Sequence, residues 1–393
     1  MDCTKVADSA VGRFFTPTDE QRIAVDSFRR FLDREIAPQV ARFDDVFIPG
    51  DAMRELFLKL LPFGMGNGLV AEAEGGLGLD PLTVGLIFEE LARVSPDLAI
   101  VALIQMEAGL LLAAGSESIR KNYLAPLLRG GKIACIGISE PGAGSNVAEI
   151  RCRARRDGDG YSLTGEKQWI SNGHYSDFCI CVARDEDGPG DGIGLFIVDR
   201  EAGYESRNIP KMALNRQSTA QLHFDGARVP PANLLVPPGA GLKRLMSLLA
   251  GSRPLVGLLA VGVARAALDH SIDYARTREQ HGKVIARHQL VQARIADMAV
   301  KIDAARLLLY RALDLAGRGE RSDLESSMAK YFATETACEV TRHALAIHGG
   351  NGVAREFPVE ELYRIAPILT VTEGTPEMQQ LIIGRFLLGE SAF

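Results

Sequence analysis

The sequence predicts an α+β protein in three parts: an N-terminal helical domain over residues 1–131, a small central β domain over 132–240 and a C-terminal four-helix bundle over 241–393. Three observations carry this reading. Apolar residues recur at helical spacing through the first third. From about residue 133, short runs alternate polar and apolar residues between glycine-rich turns. After Gly241 long apolar segments return to helical spacing. A chain of 393 residues also exceeds what one simple core serves, so more than one packed unit is expected.

In the first part, Thr18 followed by Gln21 is a capping-box signature opening the amphipathic stretch IAVDSFRRFLDREI. DPLTVGLIFEELARV and LAIVALIQMEAGLLLAAG are apolar around most of their circumference, as helices buried on several sides are. In the second part, IRCRARRDGDGYSLTGEKQWIS reads as strands joined at DGDG and TGE, and FCICVA, GLFIV and QLHFD follow as further strands. VPPANLLVPPGAG breaks regular structure and closes this part. In the third, PLVGLLAVGVARAALDHSIDYARTR, QLVQARIADMAVKIDAARLLLYRALDLAG and LESSMAKYFATETACEVTRHALAIHGG are long periodic segments with short connections, the pattern of an antiparallel bundle.

Composition narrows the function. A net charge of −6 argues against a nucleic-acid surface. The six cysteines form no CxxC pair or zinc-type cluster, so reduced buried thiols in a cytoplasmic protein are expected. MDCTKVADSAVGRFF carries acidic residues and no long apolar core, which argues against a signal or transit peptide. No apolar stretch is expected to reach the roughly 20 residues of a membrane span.

Motif chemistry narrows it further. No GxGxxG follows a strand, PGAGSN lacks the Gly-Lys-Ser/Thr ending of a phosphate loop, and HGGNG has no nucleophile elbow to accompany it. No HExxH or other close ligand pair is present, so no metal site is expected. Two loops remain. In CIGISEPGAGSN, Pro141, Gly142 and Gly144 can bring backbone N–H groups against an anion or a polar ring edge. In EKQWISNG, strand alternation places the lone tryptophan, Trp169, on the same face as Ser171, a surface suited to stacking on a ring system. Taken alone, Trp169 reads more simply as a core filler.

Five stretches, ISEPGAGSN, GEKQWISNG, YARTREQHGK, AIHGGNG and TEGTPEMQQLIIGR, together resemble the acyl-CoA dehydrogenase family of flavoproteins, in family order and over nearly the whole chain. The resemblance implies that family's three-part fold and FAD held between the β domain and the last bundle. By position it assigns Ser139 and Ser171 to the isoalloxazine, Trp169 beside it and Thr375 to the same site. Arg278 and Gln280 match residues that reach the FAD of a neighbouring subunit, His281 stands where a phenylalanine is usual near the adenosine end, and Gly349 and Gly350 admit the pyrophosphate and adenosine. A homo-oligomer, dimer or tetramer, follows from a shared cofactor site. Ser145, Arg253 and Gly374 fall at positions that serve the acyl carrier or the catalytic turn. His281, Ala346 and Ala250 depart from common family residues, which touches nucleotide and carrier binding rather than the flavin.

Glu373, at the mouth of the TEGT turn, is then implied to be the base that takes the α proton of an acyl thioester while hydride leaves the β carbon for flavin N5, giving a trans-2-enoyl thioester. Burial among Leu369, Val371 and the acyl chain would suit that role. The carrier is coenzyme A or an acyl carrier protein, and the electron acceptor is expected to be an electron-transfer flavoprotein. The floor of the acyl site is expected on AIVALIQMEAG, with Ala99, Ala102, Leu103 and Gln105 facing the substrate. Two other readings keep the fold: a flavin oxidase or monooxygenase, in which the TEGT glutamate is commonly missing, and a non-catalytic binding relative.

Overall fold

The computed structural model describes residues 17–390. MDCTKVADSAVGRFF, with Cys3, lies outside the described residues. The chain forms two compact units. The first draws on residues through Val40, Pro81–Pro96 and Arg253 onward; the second on Ala41–Asp80 and Asp97–Ser252.

The helical unit contains α1 (Asp19–Phe31), α3 (Pro81–Val94), most of α5 (Gly241–Thr277), α6 (Gln289–Gly317), α7 (Asp323–His348), α8 (Val359–Val371) and α9 (Pro376–Leu388). The capping box is present as read: Thr18 accepts from the Gln21 N–H, and Gln21 returns a bond to the Thr18 N–H. Small residues set the spacing of the bundle. A Cβ on Gly262 of α5 would stand 2.5 Å from the Cβ of Ala92 on α3, and one on Gly85 would stand 2.4 Å from Leu313 of α6. Where α3 meets its neighbours, buried Glu89 and Glu90 bind Arg265 at 2.6 and 2.8 Å, and Tyr310 donates to Glu89 at 2.5 Å. Buried carboxylates survive because each is paired and hydrogen-bonded.

The second unit contains α2 (Gly50–Leu58), α4 (Pro96–Ala113) from Asp97 onward, and the sheet. Its strands are β1 (Ala134–Gly137), β2 (Arg153–Asp157), β3 (Gly160–Ser171), β4 (Phe178–Arg184), β5 (Ile193–Asp199), β6 (Tyr204–Asn208), β7 (Thr219–Val229) and β8 (Leu234–Val236). They run in the order β6-β7-β3-β2-β4-β5-β8, with β1 parallel to β4. Period-two alternation feeds two cores. Phe178, Ile180 and Val182 of β4 join a cluster with Ala108, Leu111 and Leu112 of α4, whereas Cys179, Cys181 and Ala183 join one built from strand residues. Cys135, Cys179 and Cys181 are buried strand residues and Cys152 is buried just before β2, all with free thiols, as expected.

One expectation needs correction. Pro96–Ala113 and Gly241–Thr277 are long and apolar enough to cross a membrane by length and composition. Their apolar windows are 78% and 72% buried within the fold, the signature of core helices rather than lipid-facing ones.

Candidate active site

α8 ends at Val371, and Thr372, Glu373 and Gly374 turn the chain into α9. Glu373 takes φ 53° and Gly374 φ 101°. The left-handed region suits glycine but costs a side-chain-bearing residue, so surrounding bonds must hold the glutamate there. Those bonds are present. Buried Gln379 donates from Nε2 to the Glu373 carbonyl at 3.3 Å and to the Gly374 carbonyl at 3.1 Å. Lys330 of α7 donates to the Thr370 carbonyl at 2.8 Å and also to the Gly374 carbonyl. Thr375 caps α9, its hydroxyl accepting from the Met378 N–H at 3.4 Å, with Pro376 at the first helical position.

Arg253 belongs to the same neighbourhood. It is buried, not the surface pair that a lone arginine suggests, and its Nη1 lies 3.5 Å from Ser327 Oγ. Its Nε has no hydrogen-bond partner among the described residues. Burial pulls the guanidinium pKa down, while the charges of Glu373 and Asp323 oppose the shift. The apolar wall expected around Glu373 is only half present: Leu369 is buried, but Val371 is 59% exposed.

The sheet unit gathers the other candidates. The Ser139 carbonyl accepts from the Gln168 N–H at 2.8 Å, so the loop after β1 is fastened to β3 one residue before Trp169. Lys167, fully buried, donates to the Ile138 carbonyl at 2.9 Å and to Glu140 at 2.8 Å. Glu140 also accepts from the backbone N–H groups of Arg151 at 2.6 Å and Cys152 at 2.9 Å. Glu140 and Ala143 bridge across Pro141-Gly142, and nothing approaches within 4 Å of a Cβ built on Gly142 or Gly144. Ser145 is exposed at the end of this loop.

Trp169 does not fill the core. It is 56% exposed, with φ 64°. The register against β7 slips between Lys167 and Ile170, a bulge that puts Gln168 and Trp169 opposite the single residue Gln221. Simple alternation therefore fails here, and the backbone, not the strand period, aims the indole outward. Ser171, partly buried, ends β3.

Arg278, Gln280 and His281 are all exposed. His281 and Gly282, at φ 52° and 70°, form the two-residue turn between Glu279–Gln280 and Lys283–Val284, where both central positions need positive φ. At the end of α7, Gly349 adopts φ 60°, ψ −133°, a conformation only glycine takes readily. No part of the chain lies within 4 Å of a Cβ built on Gly349 or Gly350, so their backbone is open to a ligand. Within the sheet unit the exposed indole and the open backbone at Gly142 and Gly144, and within the helical unit the open backbone at Gly349 and Gly350 and the unpaired Arg253 Nε–H, are each groups suited to a flat or phosphate-bearing ligand.

Gln105 is placed otherwise than expected. It is fully buried, and its amide binds both the N–H and the carbonyl of Ala134 at 3.0 Å. That ties α4 to β1 and removes Gln105 as a free acyl contact. Sequence reasoning also missed Glu140, Lys167, Lys330 and Gln379. Glu140, Lys167 and Gln379 stand inside quoted motifs, and Lys330 is the lone lysine of a largely apolar helix, between Ala329 and Tyr331, a signal visible in SMAKYFA.

Profiles of the acyl-CoA dehydrogenase N-terminal, middle and C-terminal domains match residues 18–131, 135–227 and 239–388. The chain is 36% identical over 380 residues to "Probable acyl-CoA dehydrogenase FadE25" of Mycobacterium tuberculosis, covering 94% of this chain and 95% of that one. It superposes on butyryl-CoA dehydrogenase from Megasphaera elsdenii with TM-score 0.89 and 31% identity, over 95% of this chain and 99% of the other. A glutaryl-CoA dehydrogenase from Mycobacterium smegmatis, solved in complex with FADH2, gives TM-score 0.88 at 28% identity over 96% of both chains.

Proposed function

The chain belongs to the acyl-CoA dehydrogenase family, an oxidoreductase family acting on CH–CH bonds, and on that premise we propose that it removes hydrogen from the α and β carbons of an acyl thioester, leaving a trans-2-enoyl thioester. Glu373 is the base. The observation that carries this is its backbone: a carboxylate-bearing residue held at φ 53° by the bonds that Lys330 and Gln379 make to the carbonyls around it. Strain of this kind at a non-glycine residue persists where geometry is needed.

FAD, when bound, supplies the acceptor for the β hydride. Ser139, Trp169, Ser171, Thr375 and the open backbone at Gly349 and Gly350 would hold it, with Arg278, Gln280 and His281 offered to the cofactor of a neighbouring copy in a homo-oligomer. Glu373 accepts the α proton on its carboxylate. Gly374 gives the turn room, Arg253 places its charge beside the base, and Ser145 meets the carrier end of the substrate. Coenzyme A or an acyl carrier protein carries the acyl group, and an electron-transfer flavoprotein takes the electrons, in the cytoplasm. The three-part division at residues 131/132 and 240/241 follows the functional parts of the chain.

The discriminating experiment is anaerobic mixing of the yellow holoprotein with a panel of acyl-CoAs and acyl carrier proteins. Rapid bleaching of the flavin by at least one thioester, with slow reoxidation in air, is expected. A protein that cannot be loaded with FAD, or whose flavin no thioester bleaches, overturns the proposal; rapid reoxidation by oxygen would favour an oxidase.

A further inference from the structure

Lys330 is a charged residue in an apolar place. It sits on α7 between Ala329 and Ala333, both fully buried, and has no exposed surface itself. Its ammonium donates to two carbonyls, those of Thr370 and Gly374. Thr370 lies in the last turn of α8, where carbonyls lack helical partners and the helix dipole favours a cation. Gly374 lies in the turn beyond. Glu373 stands between these two anchor points, so one buried cation brackets the residue from both sides along the chain.

We propose that Lys330 is the positioning residue of the base: its ammonium fixes the Thr370–Gly374 turn and so sets where the Glu373 carboxylate stands. This rests on Glu373 serving as the base. Lys330 does not touch the reacting atoms; it acts through Glu373, and Gln379 supports the same turn from α9. The charged groups acting on Lys330 are Glu373 from the turn, Arg253 from α5 and Glu335 from its own helix. Asp323, on the same helix, acts on Arg253. Burial pushes the Lys330 ammonium down to about 8, Glu373 pulling it back up and Arg253 pushing it further down. The clamp therefore weakens as the amine loses its proton.

The test uses the FAD-loaded, full-length Lys330→Met protein, which keeps the stem and removes charge and donor. The limiting rate of flavin reduction is expected to fall about 10²-fold, the scale of a small misplacement of a reacting group. FAD content and affinity for a non-reacting acyl thioester analogue are expected to stay within about threefold, because Ser139, Trp169, Ser171, Gly349 and Gly350, which carry most of the proposed cofactor contacts, lie outside the turn. Amide exchange at 371–375 rises while that of α6 does not, and the wild-type inflection near pH 8 disappears from the rate profile. Wild-type rate together with wild-type exchange at 371–375 overturns the proposal. So does uniform loss of protection across α7 with loss of FAD, which marks general destabilisation. Lys330→Gln, read by the same criteria, serves if the methionine variant does not fold. Glu373→Gln separates the two readings: if it reduces its flavin at the wild-type rate the base assignment falls, while exchange at 371–375 in Lys330→Met still reports on the clamp.

Discussion

Lys167 holds its ammonium 2.8 Å from the carboxylate of Glu140, and both side chains are buried. Glu140 closes the loop that carries Ser139 onto the start of β2, and Lys167 closes it onto β3. The pair locks the Ser139–Ala143 loop onto the sheet.

Lys167→Met is therefore expected to leave a buried carboxylate without its cation, at a cost of about 3–5 kcal/mol. Denaturant unfolding measures it. Adding Glu140→Gln to the same chain is expected to recover part of that loss. A penalty under about 1 kcal/mol, the scale of an exposed pair, would show that the lock carries no strain.

Trp169 is the one tryptophan of the chain and is more than half exposed, so it reports on its own surroundings without interference. The apoprotein is expected to show the red-shifted emission of a solvated indole, and loading with FAD to quench it strongly. Trp169→Ala is expected to change the melting temperature little and to weaken FAD retention. A blue emission unchanged by FAD would place the indole elsewhere.

Glu373→Gln preserves shape and the turn, and removes only the proton acceptor. Anaerobic stopped-flow bleaching is expected to slow by about 10²- to 10⁴-fold with FAD content and ligand affinity retained. Reduction within about threefold of wild type, far inside that range, would move the base assignment to another carboxylate, with Glu107 of α4 tested first.

The ionisation of Lys330 also gives a stability signature. The ammonium is depressed to about 8 in the folded chain against 10.5 in an unperturbed lysine. Between those values the unfolded chain binds more protons, so this group makes stability rise with pH. Its burial cost is complete below pH 8 and relieved toward pH 10.5. Relative to Lys330→Met, wild type is expected to gain on the order of 3 kcal/mol across that window. Unfolding curves of both proteins at a series of pH values check the sign; an opposite slope refutes it.

Gly262 allows α5 and α3 to approach, and the contact a methyl would meet includes the Ala92 backbone carbon at 2.8 Å. Gly262→Ala is expected to destabilise by about 1–3 kcal/mol through overpacking, despite alanine's better helix propensity. A stabilised variant in thermal melts would contradict the close approach.

Much of this was legible from local pattern. The helical period, the capping box at Thr18 and the short alternating strands are written in neighbouring residues, and most strands and helices stand where those patterns placed them; two turn readings fail, since β3 runs unbroken through Thr164-Gly165-Glu166 with only a register shift, and β8 lies inside VPPANLLVPPGAG. The TEGT turn and the glycine loops were legible as a set of motifs, and the family they resemble is the one whose domain profiles match the chain. What local pattern could not show are effects of long-range pairing. The bulge at Gln168-Trp169 arises from register with β7, more than 50 residues away by number, and it reversed the expected fate of the indole. Lys330 reaches carbonyls 40 and 44 positions later, so its sequence neighbours reveal only that a charge sits where apolar residues belong. Gln105 looked like a polar group available to a substrate because its partner, the Ala134 backbone, carries no side-chain signal.

The chain passes between its two units four times, at residues 40/41, 80/81, 96/97 and 252/253. As the polypeptide leaves the ribosome, α1 and α3 emerge early, but the rest of their unit is made only from residue 253 onward. Their apolar faces must wait through the synthesis of residues 97–252, which belong to the other unit. Contacts of such sequence separation form slowly and leave hydrophobic surface exposed meanwhile. A recombinant piece beginning at Gly241 would carry the Glu373 turn but lack two of the helices of its unit. Production of the enzyme thus depends on the whole chain being finished before its first helices find their place.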